Sequence, residues 1–396
     1  MYLYKFPEIH TINDVIPYIK DHDEFGIIEK NDMIIVHYFI KKNNTFVIDP
    51  DNPIKGIMQR ECRGLLFNKN GEIIGRRYHK IFNLGELKET LEMNVDLNKP
   101  HRILEKLDGS MVSPVLINGE PVLTTKLGIT EHSKRAQHFL ETQPNIKKFC
   151  LEVLMNGYNP IFEWLDEKFV HQIKHQKSDL VLTAIRGIKT GIYVGYTWFR
   201  TFRDKYNISI VKYLGVNRNI ANLYEQIKKM ENTEGIVTRF DNGHMIKIKT
   251  DWYLERAKLF DMIRFEKDII ALIASQKDDD IIGLLEENIR EKYINYRNIV
   301  LNSVEKWAEK IENHLETFLN NHKPENRKQF YEIISNKIDK QVLPYYLKFI
   351  GDTMEGKKIK SKLFDYMLNR LVFYSSTTTR LNNVKWIYKE DWVRYL

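Results

Sequence analysis

The chain has 396 residues, 43% hydrophobic and 29% charged, which excludes a disordered or fibrous polymer and predicts two domains rather than one. Lysine and arginine number 61 against 53 aspartate and glutamate, a net charge of +8 that leans towards polyanionic partners such as nucleotide or nucleic acid. Two cysteines, Cys62 and Cys150, cannot build a disulfide framework or a zinc site, so both are expected as buried thiols in a reducing compartment.

At the N-terminus, Lys5, Pro7, Glu8 and His10 interrupt the apolar stretch that a signal peptide needs, and no later apolar run is long enough to span a bilayer. The expectation is a soluble intracellular protein without membrane contact. From about residue 26 to 250 the pattern is mostly strands, with FGIIEKNDMIIVHYFI, RGLLFNKNGEIIGRRY and ILEKLDGSMVSPVLINGEPVLTTK each broken by a turn signal. Asn70-Gly71, Asn118-Gly119 and Asn242-Gly243 are the pairs that tight hairpins need, because Asn and Gly tolerate positive φ. Helical stretches near 130–155 and 218–230 intervene, so an α+β domain built on antiparallel sheet is predicted rather than a doubly wound one. After Lys249, apolar residues recur at three- and four-residue spacing over 253–273, 281–318 and 328–349. The expected division is an antiparallel-sheet α+β domain at 1–254 and an all-helical domain at 255–396. Residues 1–250 carry 36 basic and 30 acidic side chains, 251–319 carry 10 and 15, and 320–396 carry 15 and 8, so the basic excess is split between two regions.

The segment LEKLDGSMV holds Lys106, Asp108 and Gly109 at the end of an apolar strand. An amine attacks phosphorus only without its proton, and burial or a neighbouring cation lowers a lysine pKa enough to permit this. Alone, Lys-x-Asp-Gly reads more simply as a surface turn with a solvated lysine. Its companions favour chemistry. Phe162-Glu163-Trp164 sets a carboxylate in an otherwise apolar strand, where a charge needs a ligand or partner. Glu234-Gly235 sets a second at a strand start, suited to a metal or a ribose. HMIKIK alternates Lys247 and Lys249 with Ile246 and Ile248, so both ammonium groups leave one face of a strand, and in this company they read as a phosphate clamp.

Taken in order, ECRGLLF at 61–67, KIFNLGE at 80–86, MNVDLN at 93–98, EKLDGS at 105–110, FEW, EGIV and KIKTDWY at 247–253 resemble the ATP-dependent RNA ligases of the T-even phage RNA ligase 1 type, within the lysyl-nucleotidyltransferases. The resemblance covers nearly all of the first 255 residues and loosens beyond them. It implies Lys106 as the nucleophile of a lysyl-adenylate, with Asp108 and Gly109 in the same nucleotide-binding motif. Arg63 and Lys80 would hold the β- and γ-phosphates, Phe82 would be a nucleotide-site aromatic, and Lys126 a further basic contact. Glu163 falls on the ribose carboxylate, Glu234 on the metal-site carboxylate, and Lys247 and Lys249 on the α-phosphate lysines. Ile81 replaces a family phenylalanine. In the strand LVLTAIR, where related ligases stack adenine on an aromatic, Ile185 and its neighbours offer aliphatic surface instead.

The resemblance further implies ATP as AMP donor, magnesium or alternatively manganese, and RNA as substrate. The RNA expected is a nicked tRNA anticodon stem-loop whose ends a kinase and phosphatase have prepared, in the cytoplasm, that of a host cell if the chain is viral. A DNA ligase or an mRNA-capping guanylyltransferase is the alternative within the superfamily, but each continues into a small β-barrel where this chain turns helical. A catalytically silent RNA-binding protein is the alternative outside it. Residues 320–396 mix cations such as Lys323, Arg327, Lys328, Lys357, Lys358, Lys360 and Lys362 with rings at Tyr345, Tyr346, Phe349, Tyr366 and Tyr374, a combination suited to RNA unless the rings are core.

Overall fold

The structure is a computed structural model and describes residues 5–42, 45–168, 172–285, 287–335 and 337–392. It divides into two compact units, Met1–Glu255 and Arg256–Leu396.

The first unit contains β1 (Phe25–Lys30), β2 (Met33–Tyr38), β3 (Arg63–Asn68), β4 (Ile73–Gly75), β5 (Phe82–Asn83), β6 (His101–Lys106), β7 (Ser110–Ile117), β8 (Glu120–Thr124), β9 (Tyr158–Leu165), β10 (Asp179–Gly187), β11 (Tyr213–Gly215), β12 (Gly235–Phe240) and β13 (Met245–Lys249). They form three sheets, ordered β1-β2-β3-β4, β10-β9-β7-β8 and β11-β6-β12-β13-β5. Every pairing is antiparallel except β13 with β5. The three Asn-Gly pairs fall between β3 and β4, β7 and β8, and β12 and β13, where the sequence predicts hairpins.

Among the described residues, the α-helices wholly within this unit are α1 (Pro53–Glu61), α2 (Glu131–Glu141), α3 (Pro144–Met155), α4 (Tyr196–Tyr206) and α5 (Ile220–Lys228). Strand alternation gives the third sheet two unlike faces. Ile103, Ile236, Ile246 and Ile248 pack with Leu223 and Ile227 of α5 on one side. The opposite face carries Leu104, Lys106, Val237, Lys247 and Lys249 into a cavity. The second sheet buries Val112, Phe162 and Leu182 with Leu140 of α2 and Phe149 of α3.

Helices α1 and α4 lie in the stretch whose pattern reads as strand. In α1 the buried positions are Gly56, Met58, Gln59, Arg60 and Glu61, mostly polar, so no apolar stripe marks it. Its burial is ionic. Glu61 accepts from Arg76 Nε at 3.0 Å and from Arg186 Nη2 at 2.7 Å, and all three side chains are at most 1% exposed. Burial alone would raise the Glu61 pKa, but the two guanidinium groups outweigh it and hold the carboxyl below its ordinary value. Cys62 and Cys150 are both free and buried.

α6 (Asp251–Ile263) starts in the first unit and ends in the second, which continues with α7 (Glu266–Ser275), α8 (Asp279–Ile282), α9 (Glu287–His322), α10 (Arg327–Ile334), α11 (Leu343–Met354), α12 (Lys360–Tyr374) and α13 (Thr378–Asn382). Tyr293, Tyr296, Val300, Val304, Ala308, Ile311 and Leu315 form a buried stripe along α9, at three- and four-residue spacing. Tyr345, Tyr346 and Phe349, offered by the sequence as an RNA-binding aromatic set, are instead core residues of this unit, none more than 8% exposed. No helix among the described residues is long and apolar enough to cross a membrane.

Candidate active site

Strand register builds the site. Lys106 and Lys249 flank Gly235, Leu104 and Lys247 flank Val237, and Arg102 and Met245 flank Arg239, in three successive rows across β6, β12 and β13. Above this floor lies a cavity of about 430 Å³, a size suited to a small molecule. Arg63, Lys80, Lys106, Glu163, Glu234, Lys247 and Lys249 line it, with Asp108 and Gly109 at the turn between β6 and β7. Sequence positions nearly two hundred residues apart therefore meet around one space.

At one end, Glu234 bridges two amines: Lys106 Nζ lies 2.6 Å from Oε2 and Lys249 Nζ 2.9 Å from Oε1. Lys249 Nζ also sits 4.5 Å from the Tyr253 ring centre, a cation–π contact. The Tyr253 hydroxyl donates to Asp108 Oδ1 at 2.8 Å and lies 3.1 Å from Gln172 Oε1, while the Ile173 amide donates to Asp108 Oδ2 at 2.9 Å. Asp108 thus fixes the turn behind Lys106. Gly109 permits the close approach of β9, since a Cβ there would lie 2.6 Å from Trp164 O and 3.0 Å from Glu163 Cγ.

Glu163 is pushed up to about 7 by burial, with the Glu234 and Asp108 charges adding to it against the pull of Lys106 and Arg63. Lys247 moves the other way, down to about 7, through burial and the neighbouring Lys106, Lys80, Arg63 and Lys249. Lys80 Nζ stands over the rings of Phe82, Tyr38 and Phe46 at 5.3, 5.7 and 6.0 Å. Phe82 itself is buried beneath Lys80 and does not line the cavity. Lys126 is also off the cavity wall, but it lies close enough to Arg63 and Lys80 for their charges to join burial in lowering its pKa. Collected cations that lower one another's pKa are the complement of a multiply charged anion.

One expectation is corrected. Ile185 is core, 1% exposed, and contributes nothing to the cavity. The strand register slips between Leu182 and Ala184, and the extra residue, Thr183, reaches the cavity in its place. Arg239, Tyr78 and Tyr253 also line the site without having been singled out. Arg239 had a signal, because it keeps the two-residue spacing from Val237 that Lys249 keeps from Lys247.

Among the described residues no group of three His, Cys, Asp or Glu side chains could hold a metal ion by itself. A cation here would rest on Glu234 and on ligand oxygens, the arrangement magnesium favours. Glu234 fits it, a buried carboxylate on the cavity wall whose two oxygens already meet the Lys106 and Lys249 amines.

A family model described as RNA ligase matches residues 61–253. The chain is 28% identical over 286 residues to a Thermovibrio ammonificans protein whose name places it among RNA ligases, covering 69% of this chain and 71% of that one. It is 21% identical over 243 residues to RNA ligase 1 of bacteriophage TS2126, covering 57% of this chain and 58% of the phage protein, less than two thirds of that relative. Among solved structures, an archaeal ATP-dependent RNA ligase superposes with a TM-score of 0.42 at 15% identity over 70% of this chain and 69% of its own, too distant a likeness to argue from. The span matched by the family model contains every cation and carboxylate of the cavity wall, and over that span the chain is similar to RNA ligases.

Proposed function

We propose that this chain is an ATP-dependent RNA ligase that joins a 5′-phosphate to a 3′-hydroxyl through a lysyl-AMP and an RNA-adenylate. The observation that carries the reading is the Lys106 amine, 2.6 Å from Glu234 at the end of a cavity whose other charged walls are chiefly cationic. Glu234 orients the Lys106 amine, whose proton must leave before attack. The free amine attacks the α-phosphorus of ATP, an N–P bond forms, and pyrophosphate leaves. Arg63, Lys80, Lys247 and Lys249 offset the negative charge that develops on the phosphates. A 5′-phosphate oxygen of RNA then attacks the same phosphorus, which breaks the N–P bond and makes a 5′-5′ anhydride. Finally the 3′-hydroxyl oxygen attacks the RNA phosphorus, loses its proton, and AMP departs. Magnesium, or manganese, held by Glu234 would supply charge neutralisation at phosphate oxygens when bound.

The RNA we propose is a nicked tRNA anticodon stem-loop, with a kinase and a phosphatase upstream because the chemistry consumes a 5′-phosphate and a 3′-hydroxyl. Exposed Lys323, Arg327 and Lys328 in the second unit support a polyanion contact there. A 5′-phosphorylated RNA oligonucleotide with ATP tests the reading. Circular product and a transient RNA-adenylate are expected, both absent in Lys106→Ala; product from DNA ends alone would contradict it.

A further inference from the structure

Arg239 is a buried cation, 7% exposed, on the cavity wall. Its Nη2 donates to Val194 O at 2.5 Å, and its guanidinium lies 5.2 Å from the Tyr193 ring centre and 5.8 Å from that of Phe199. Among the described residues, Nη1 has no hydrogen-bond partner. Such a donor is costly to bury unsatisfied, so it marks a place where a ligand acceptor would be held.

Its position says which part of a ligand. Arg239 stands four residues along β12 from Gly235, the position flanked by Lys106 and Lys249, a separation of about 13 Å in a strand. Leu104, Val237 and Met245 lie between or beside these two ends and line the cavity. The wall therefore runs from cations, over apolar surface, to the Arg239 guanidinium, whose buried Nη1 lacks a partner among the described residues. Thr183, the bulged residue of β10, lines the same cavity as Arg239 and Tyr78. The Thr183 hydroxyl gives its proton to Ile161 O at 3.0 Å, which leaves its oxygen as an acceptor.

We infer that Arg239 determines base choice: its Nη1 donates to a ring nitrogen of the nucleobase while the Thr183 oxygen accepts from an exocyclic amino group. The inference rests on reading the cavity as the ATP site. Adenine presents this pairing of a ring-nitrogen acceptor beside an amino donor. Guanine carries a carbonyl oxygen where adenine has its amino group, and would set lone pair against lone pair at Thr183.

Covalent adduct formation by the full chain, measured with ATP, GTP and the 1-, 3- and 7-deaza analogues of ATP, tests this. Losing a hydrogen bond from a charged donor corresponds to roughly 10- to 100-fold in kcat/KM, expected for one deaza analogue and for GTP. In Arg239→Met the cost of that analogue should fall below about 3-fold, as a double-mutant cycle requires. A purely structural or phosphate-binding Arg239 would weaken all nucleotides alike and leave the analogue ratios intact, which would overturn the inference. The wild-type series decides even if Arg239→Met does not fold, because no deaza analogue costing more than about 3-fold would also overturn it. Absence of an adduct with every nucleotide would instead sink the ligase reading on which it stands.

Discussion

Glu163 and Lys247 carry opposite charges, face one cavity and are both brought to about 7, the carboxyl upwards and the amine downwards. For Glu163 the folded protein binds its proton more tightly than the unfolded chain. Ionisation therefore costs stability as pH rises from its ordinary 4.5 through about 7, and the cost is complete above that. Replacing it with a neutral isostere removes the cost: Glu163→Gln should be more stable than wild type at pH 8, by about 1–3 kcal/mol, and no more stable at pH 4. Thermal melts of the nucleotide-free protein across that range check the sign. Lys247 is mostly neutral at pH 8, and bound phosphates restore its proton. Titration calorimetry in buffers of different ionisation enthalpy should show proton uptake on ATP binding at pH 8 but little at pH 6, and Lys247→Met should abolish the difference.

At the scale of elements, the site depends on how closely β9 approaches the turn after β6. Gly109 lacks the Cβ that would stand 2.6 Å from Trp164 O, so Gly109→Ala should push β9 and Glu163 outward. A stability loss of about 1–3 kcal/mol, with slower adduct formation, is expected from melts and a labelling time course. The hairpins were legible because Asn-Gly carries its own conformational demand. The lysine strand was legible because alternation survives in β13. Helix α1 was not, since it buries Gln59, Arg60 and Glu61 rather than an apolar stripe. Period-two counting through LVLTAIR sets Thr183 and Ile185 on one face, and the one-residue bulge that parts them, leaving Ile185 in the core and Thr183 on the cavity, is not visible in the sequence. Nothing in the sequence around Arg76 or Arg186 marks them as buried; the fold sets Glu61 between them.

For the whole molecule, the +8 charge and its split along the chain proved less direct than they looked. Part of the basic tail closes on the acidic helical stretch within the second unit: Lys358 pairs with Glu316 at 2.7 Å, Lys360 with Glu305 at 3.1 Å, and Lys385 with Glu266 at 2.6 Å. Charge segregated in sequence is partly annulled in the fold, a relation that residue counts do not contain. The cations around the cavity are different, for one carboxylate, Glu234, serves two of them. If the helical unit chooses the RNA, deleting residues beyond about 260 should spare the lysyl adduct and lower sealing of a nicked tRNA more than sealing of a plain oligonucleotide. Equal loss on both substrates would contradict that role. The central claim is the chemistry of Lys106, and incubation with α-labelled ATP, followed by mass mapping of the adduct, tests it most directly. AMP on Lys106, with no labelling of Lys106→Ala, is the expected result; an unlabelled wild type, or label on another lysine, would contradict it.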